Sequence, residues 1–131
     1  MADSANALQT LAAQLREEDT PISPHVVEPT AEPAFELSGD YELVVEAIYE
    51  GYLLHYAEPR LLAGHDDDLA LLAGDYLYAL GLDRLAALGD TAAVKVLADL
   101  IGKCAQLHTE KRIEEIPSLW WAAVEEIRSS S

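Results

Sequence analysis

The stretch from Leu69 to Leu88 constrains the fold most, because its residues are almost entirely apolar. Apolar side chains recur on every side of the helix that this stretch predicts, and such a helix is buried on most sides. It has the length of a membrane span, but Asp75, Asp83 and Arg84 within it are each costly in lipid. We therefore predict no membrane span, but the central helix of a soluble core. One bundle built from 131 residues cannot easily cover such a helix, which indicates that another subunit covers part of it.

A proline-rich segment divides the chain. Four prolines lie between Thr20 and Ser38, a density typical of an extended linker and incompatible with a helix. Leucines at helical spacing before it predict a short helix over residues 1 to about 18. We predict two domains, an N-terminal helical arm with its Pro-rich linker at 1–38 and a helical bundle at 39–131. The arm is either tethered and free, or a clip that folds back.

Four further helices follow the linker. Their predicted ranges are 41–56, 67–88, 91–109 and a last helix that has Pro117 in its first turn. Asp40 and Asp90 are suitable N-caps, and Gly89 is typical of a helix end. We find no convincing strand and no tandem repeat. The sequence therefore predicts an all-α fold, a bundle of four main helices with an N-terminal helical arm.

The chain is strongly acidic, with 24 Asp and Glu residues, 8 Lys and Arg residues and a net charge of −16. Nucleic acids and anionic membranes attract basic surfaces, and without a basic patch we expect neither as a partner. A protein partner or a homo-oligomer fits the charge better. The single cysteine, Cys104, excludes an intramolecular disulfide, and we expect it to be a small buried side chain. With no secretory signal in the N-terminal residues, we expect a reduced, cytoplasmic location.

Acidic clusters are the candidates for a metal site. Asp66, Asp67 and Asp68 are consecutive, Asp75 shares a helix face with Asp68, and oxygen-rich groups of this kind suit Mg²⁺. Consecutive helical residues point in different directions, however, so helix capping and solvation explain these three aspartates better than metal binding does. Because Asp75 lies among apolar residues, we expect its carboxylate to be paired, for instance with a tyrosine hydroxyl or an arginine.

Other polar residues give no catalytic pattern. Glu42, Glu46 and Glu50 fall four apart, and like charges at this spacing predict a solvated helix face. No serine lies in a nucleophile motif, and no glycine-rich phosphate loop occurs. We predict no catalytic residue and no cofactor. The histidines have no metal-ligand spacing, and each is expected to be structural or exposed: His25, His55, His65 and His108.

Small and aromatic residues mark the predicted interface. Glycines on the central helix leave spots where another backbone can approach closely, and tryptophan is enriched at protein interfaces. Of the two adjacent tryptophans, one is expected in the core and the other is a candidate docking residue. The predicted interface residues are Ala70, Gly74, Asp75, Leu77, Tyr78, Gly81, Trp120 and Trp121.

The run L-A-G-D-Y-L-Y-A at residues 72–79, followed by L-G-D at 88–90 and another helix, resembles the all-trans polyprenyl diphosphate synthases. The resemblance covers roughly residues 69–108, a part that is structural in the family and contributes to its subunit interface. The family's two D-D-x-x-D motifs, which hold Mg²⁺ on the diphosphate, are absent, as are the basic residues that grip diphosphates. The resemblance therefore implies a non-catalytic small subunit, like those of two-component enzymes, with a larger synthase-like partner.

Three functions remain open from the sequence. The first is a non-catalytic helical subunit that associates, through the helix around Asp75, with itself or with a larger synthase-like partner. The second is a small Mg²⁺-dependent protein that binds or converts an isoprenoid diphosphate through the four aspartates named above. The third is an acidic adaptor whose N-terminal arm recruits the bundle to a larger assembly.

Overall fold

Five α-helices make up most of the computed structural model, which describes residues 6–130. They are α1 (Ala7–Glu17), α2 (Asp40–Tyr56), α3 (Asp67–Ala87), α4 (Thr91–Thr109) and α5 (Ile116–Ser130). Within the described range there is no β-strand, only an isolated bridge between Val26 and Leu62. The predicted all-α fold, with one N-terminal helix and four main helices, is confirmed. None of the helices described is long and apolar enough to cross a membrane.

Helix ends follow local capping chemistry. Asn6 and Gln9 form a capping box at α1, in which each side-chain oxygen accepts from the other residue's backbone N–H at 2.9 Å. The predicted start of this helix at residue 1 lies outside the described residues. The carboxylate of Asp90 accepts from the N–H of Ala93 at 2.9 Å, which confirms it as the N-cap of α4. In α2 the cap is Gly39, with a φ of 63°, and Asp40 lies inside the first turn instead.

The chain divides into two units, residues 1–81 and 82–131, with the division inside α3. In the first unit α1 contacts α2 and contributes fully buried leucines to a shared core. The N-terminal segment is therefore folded back as a clip, one of the two arrangements that the sequence allows. The domain boundary that we predicted at residue 38 stays a prediction. The buried core includes Leu8, Leu11, Leu15, Ala47, Leu54, Leu61, Ala73 and Leu77.

The proline-rich linker is held along the loop that follows α2. Backbone N–H groups of Val27 and Thr30 donate to the carbonyls of Leu61 and Arg60, at 2.8 and 3.0 Å. The prediction that prolines exclude any helix here was wrong at one point. Residues Ser23–His25 form a single 3-10 turn, because proline near the start of a turn loses no hydrogen bond.

Two glutamates of α2 and one arginine form a buried ion cluster, which we define as Glu46, Glu50 and Arg60. Both glutamates are completely buried and Arg60 is 6% exposed. The Arg60 Nε donates to Glu50 at 2.8 Å, and Nη1 donates to Glu46 at 2.6 Å. The predicted solvated glutamate stripe was therefore wrong for these two residues. Only Glu42, which is half-buried, retains contact with water.

The buried ion cluster also satisfies backbone donors. Glu50 Oε2 accepts from the backbone N–H groups of Arg60 and Leu61, at 2.7 and 2.9 Å. Glu46 Oε2 accepts from the N–H of Phe35 at 2.9 Å, and the Arg60 guanidinium lies 5.1 Å from the centre of the Tyr49 ring. The cluster thus joins the linker, α2 and the loop after α2 at one buried point.

The second unit contains α4 and α5, which contact each other. Cys104 of α4 and Trp120 of α5 are both buried in this unit. The expectation that Cys104 is a buried free thiol is confirmed. The buried residues of the two helices are Ala93, Leu97, Leu100, Cys104, Leu107, Ile116, Trp120, Ala123, Val124 and Ile127.

Burial makes Cys104 unreactive, which gives a direct test of the second unit. Burial raises the pKa of the thiol to about 11, although its interaction with Trp120 opposes the shift. At pH 8 we expect about a hundredfold less thiolate than at an ordinary cysteine, and a correspondingly slow reaction with a disulfide reagent. The native protein should react at least that much more slowly than the protein in urea. Equal rates would show that the thiol is not buried.

Candidate functional site: the His55 cluster and the outer face of helix 3

His55, in the last turn of α2, is held by contacts with α3. Its Nε2 lies 3.0 Å from Oδ1 of Asp75 on α3, so the imidazole donates from this nitrogen to the carboxylate. The ring stacks on Tyr78, with 5.3 Å between the ring centres and 9° between the planes. Gly74 lies against the Cδ2–Nε2 edge of the ring. Three residues of the L-A-G-D-Y-L-Y run therefore surround one histidine.

Close approach of α2 and α3 depends on glycine. A Cβ added to Gly74 would lie 2.3 Å from Cδ2 of His55, and one added to Gly51 would lie 2.8 Å from the carbonyl oxygen of Gly74. On the same face, a Cβ at Gly81 would meet Ile48 at 2.5 Å. The small residues that we assigned to an interface are thus used for helix packing inside the chain.

A cavity of about 490 Å³ lies beside His55, at the end of α2. Its polar lining includes His55, His65, Tyr56, Glu58 and Asp67. These groups can exchange protons, but the lining includes no serine, threonine, cysteine or lysine that could act as a nucleophile. The Nδ1 atom of His65 has no hydrogen-bond partner, but it is shielded from solvent and so does not face the open cavity.

Asp75 lies at the surface, although in the sequence it stands among apolar residues. Its side chain is 73% exposed. It is paired, as expected, although the partner is a histidine rather than a tyrosine hydroxyl or an arginine. Exposure of this carboxylate removes the desolvation penalty that motivated the prediction.

The other metal candidates lie at the start of α3. Asp66 accepts from the backbone N–H of Leu69 at 2.8 Å and so acts as the helix cap, while Asp67 and Asp68 are exposed in the first turn. In the part of the chain that the structure describes, no group of three or more histidine, cysteine or acidic side chains is placed to hold a metal ion.

The predicted interface residues occupy three environments. Gly74, Leu77 and Gly81 are buried in the first unit, Ala70 and Tyr78 are half-buried, and Asp75 is exposed. The two remaining predicted interface residues are the tryptophans of α5. Trp120 is 3% exposed and Trp121 is 57% exposed, so one lies in the core and the other on the surface, as predicted. A role of these residues between chains stays a prediction.

An apolar strip lies on the side of α3 that faces solvent. Leu71 and Leu72 are 49% and 52% exposed, and Asp68, Asp75 and the exposed Ala79 share their helix face. We call these five residues the outer face of α3. The helix is therefore less completely buried within its own chain than its composition predicts.

Sequence reasoning missed His55 because its partners lie on another helix. His55 and Asp75 are 20 residues apart, and no spacing rule joins them. The one available signal was Gly74 beside Asp75, because a glycine within a helix indicates that something approaches it closely. The sequence could not show whether that neighbour was a backbone, a side chain or a second subunit.

No protein-family model, curated protein or solved structure shows significant similarity to this chain. The functional argument therefore depends on the residues described above.

Proposed function

We propose that the protein is a non-catalytic helical subunit that binds a larger protein partner through the outer face of α3. The observation that carries this proposal is the pair Leu71 and Leu72, each about half exposed on a helix whose other side packs against α2. Two adjacent half-exposed leucines on an ordered helix lose favourable burial unless another surface covers them.

Charge favours a different protein over a second copy at this face. Asp68 and Asp75 flank the leucines, so a two-fold contact between two such faces would place carboxylates against carboxylates. A partner with an apolar patch and a basic rim would avoid this repulsion. The resemblance of this same helix to the polyprenyl diphosphate synthases suggests a larger synthase-like subunit as that partner.

The site chemistry supports a non-catalytic role. The cavity beside His55 has acid–base groups but no serine, threonine, cysteine or lysine in its lining, and Asp66 is already used as a helix cap. The second function suggested by the sequence, a Mg²⁺-dependent isoprenoid diphosphate protein, needs carboxylates that converge on an ion. The third function, recruitment through the N-terminal arm, finds little support because the leucines of α1 are buried in the first unit.

The outer face can be tested with the double variant Leu71→Ser/Leu72→Ser. We expect the wild-type chain to bind a purified polyprenyl diphosphate synthase from the same organism, measured by calorimetry. The double variant should bind about thirtyfold more weakly, since roughly half of each leucine would be newly buried in the complex. The double variant should fold normally, because the two side chains contribute little to the core.

Leu88→Ser is the matched control, because Leu88 is also half exposed, at 46%, but follows the end of α3. It should bind like the wild type. An equal loss in the control, or no binding of the wild-type chain at about 100 µM synthase, would contradict the proposal.

A further inference from the structure

A groove of about 550 Å³ runs between α4 and α5 in the second unit. Leu100 and Ala123 form its floor, and the half-buried Val96 and Leu119 form its walls. The lining positions on each helix recur at three- and four-residue steps, which is the pattern of a face that receives another helix. The small Ala122, exposed in the wall, leaves room for close approach.

Both signs of charge lie along the groove. Lys95 and Lys103 line it on α4, and Asp99 and Glu126 line it on α4 and α5. These four charges sum to zero, on a chain whose net charge is −16. Two copies therefore meet little net repulsion here, although most of their acidic surface opposes association.

We propose that this groove binds a second copy of the chain in a two-fold contact, with one helix of each α4–α5 pair lying in the groove of the other copy, so that the two pairs form a four-helix dimer interface. In a two-fold contact each patch faces itself, so a surface that carries both lysines and carboxylates can pair opposite charges across the axis. Lys95 and Asp99 are already paired at 2.9 Å, but both are well exposed, 77% and 67%. Such a pair can exchange partners at little cost.

The length of the groove limits the area that this contact can bury. Its lining on α4 runs from residue 92 to residue 103, which corresponds to roughly 17 Å of helix. Two helices of this length present a face at the small end of specific protein interfaces. We therefore expect a reversible dimer with a dissociation constant of the order of 10 µM, rather than a permanent one.

Sedimentation equilibrium of the full chain, from about 1 to 200 µM, tests the proposal against this expected dissociation constant. Ala122→Glu places a larger, charged side chain in the groove, and Ala105→Glu makes the same change at an exposed position of α4 that does not line it. The wild type and Ala105→Glu should dimerise alike. Ala122→Glu should raise the dissociation constant at least tenfold while its circular dichroism stays unchanged.

Three results would overturn the inference: a wild-type chain that stays monomeric across this range, equal effects of the two glutamate variants, or loss of the dimer only in Leu71→Ser/Leu72→Ser. The last result would place self-association on the outer face of α3. Because the groove and that face are altered by different variants, this inference and the proposed synthase binding can fail separately.

Discussion

Replacing Arg60 with alanine should destabilise the first unit by about 3–5 kcal/mol, the range observed when one partner of a buried ion pair is removed. Glu46 and Glu50 are completely buried, and the guanidinium is the only cationic group that donates to them in the described hydrogen bonds. The variant would leave two carboxylates in a low-dielectric site with only backbone N–H groups to stabilise them. Urea unfolding followed by circular dichroism measures the loss.

Arg16→Ala is the control, because Arg16 forms a 3.6 Å ion pair with Glu28 in which both side chains are well exposed, 44% and 86%. It should change the free energy of unfolding by less than about 1 kcal/mol. A similar small effect of Arg60→Ala would contradict the expectation.

A second variant separates charge from packing. Adding Glu46→Gln and Glu50→Gln to Arg60→Ala removes the buried charges, while the amide oxygens can still accept from the backbone donors of Phe35, Arg60 and Leu61. Stability should recover in part. No recovery would show that the loss came from the missing arginine side chain.

The second large effect is expected at the contact between α2 and α3, where Gly51→Ala should cost about 1–3 kcal/mol. The new Cβ would lie 2.8 Å from the carbonyl oxygen of Gly74, and backbone cannot move aside as a flexible side chain can. The clash outweighs the gain of about 1 kcal/mol that alanine brings to a helix interior. The melting temperature and the free energy of unfolding should both fall.

Gly102→Ala provides the matched comparison, because Gly102 lies in α4 with nothing within 4 Å of an added Cβ. Without a clash, only the helix propensity changes, so this variant should be stabilised by about 0.5–1 kcal/mol. If Gly51→Ala were stabilised as well, the close approach of α2 and α3 would be excluded.

The glutamates of α2 show where sequence reasoning reaches its limit. A spacing of four residues places Glu46 and Glu50 on one helix face, but it is the same whether that face meets water or an arginine. The deciding partner, Arg60, lies 14 residues from Glu46 and 10 from Glu50, beyond a proline that ends the helix pattern. Helical periodicity identifies a face and does not identify what covers it.

The central helix shows the same limit, but here the sequence predicts more burial than the structure has. Its composition predicts burial on most sides, and the packed side, with Ala73 and Leu77 completely buried, agrees. The structure leaves Leu71 and Leu72 half exposed, and the paired Asp75 beside them lies in solvent. Apolar residues all round a helix are therefore compatible with an unburied face, on which the proposed association depends.

The sequence by itself determined the helical class and most helix ends, because these depend on interactions within a turn or two, and it predicted the burial of Cys104 from the general tendency of a free cysteine to be buried. The carboxylate of Asp90 caps a residue three positions away, and apolar periodicity is read over a few turns. Only the tertiary structure decided that the N-terminal helix folds back, that Glu46 and Glu50 are buried, and that Asp75 pairs with His55. The Asp75 pair joins residues 20 positions apart, and such a contact is selected by the packing of whole helices rather than by local spacing.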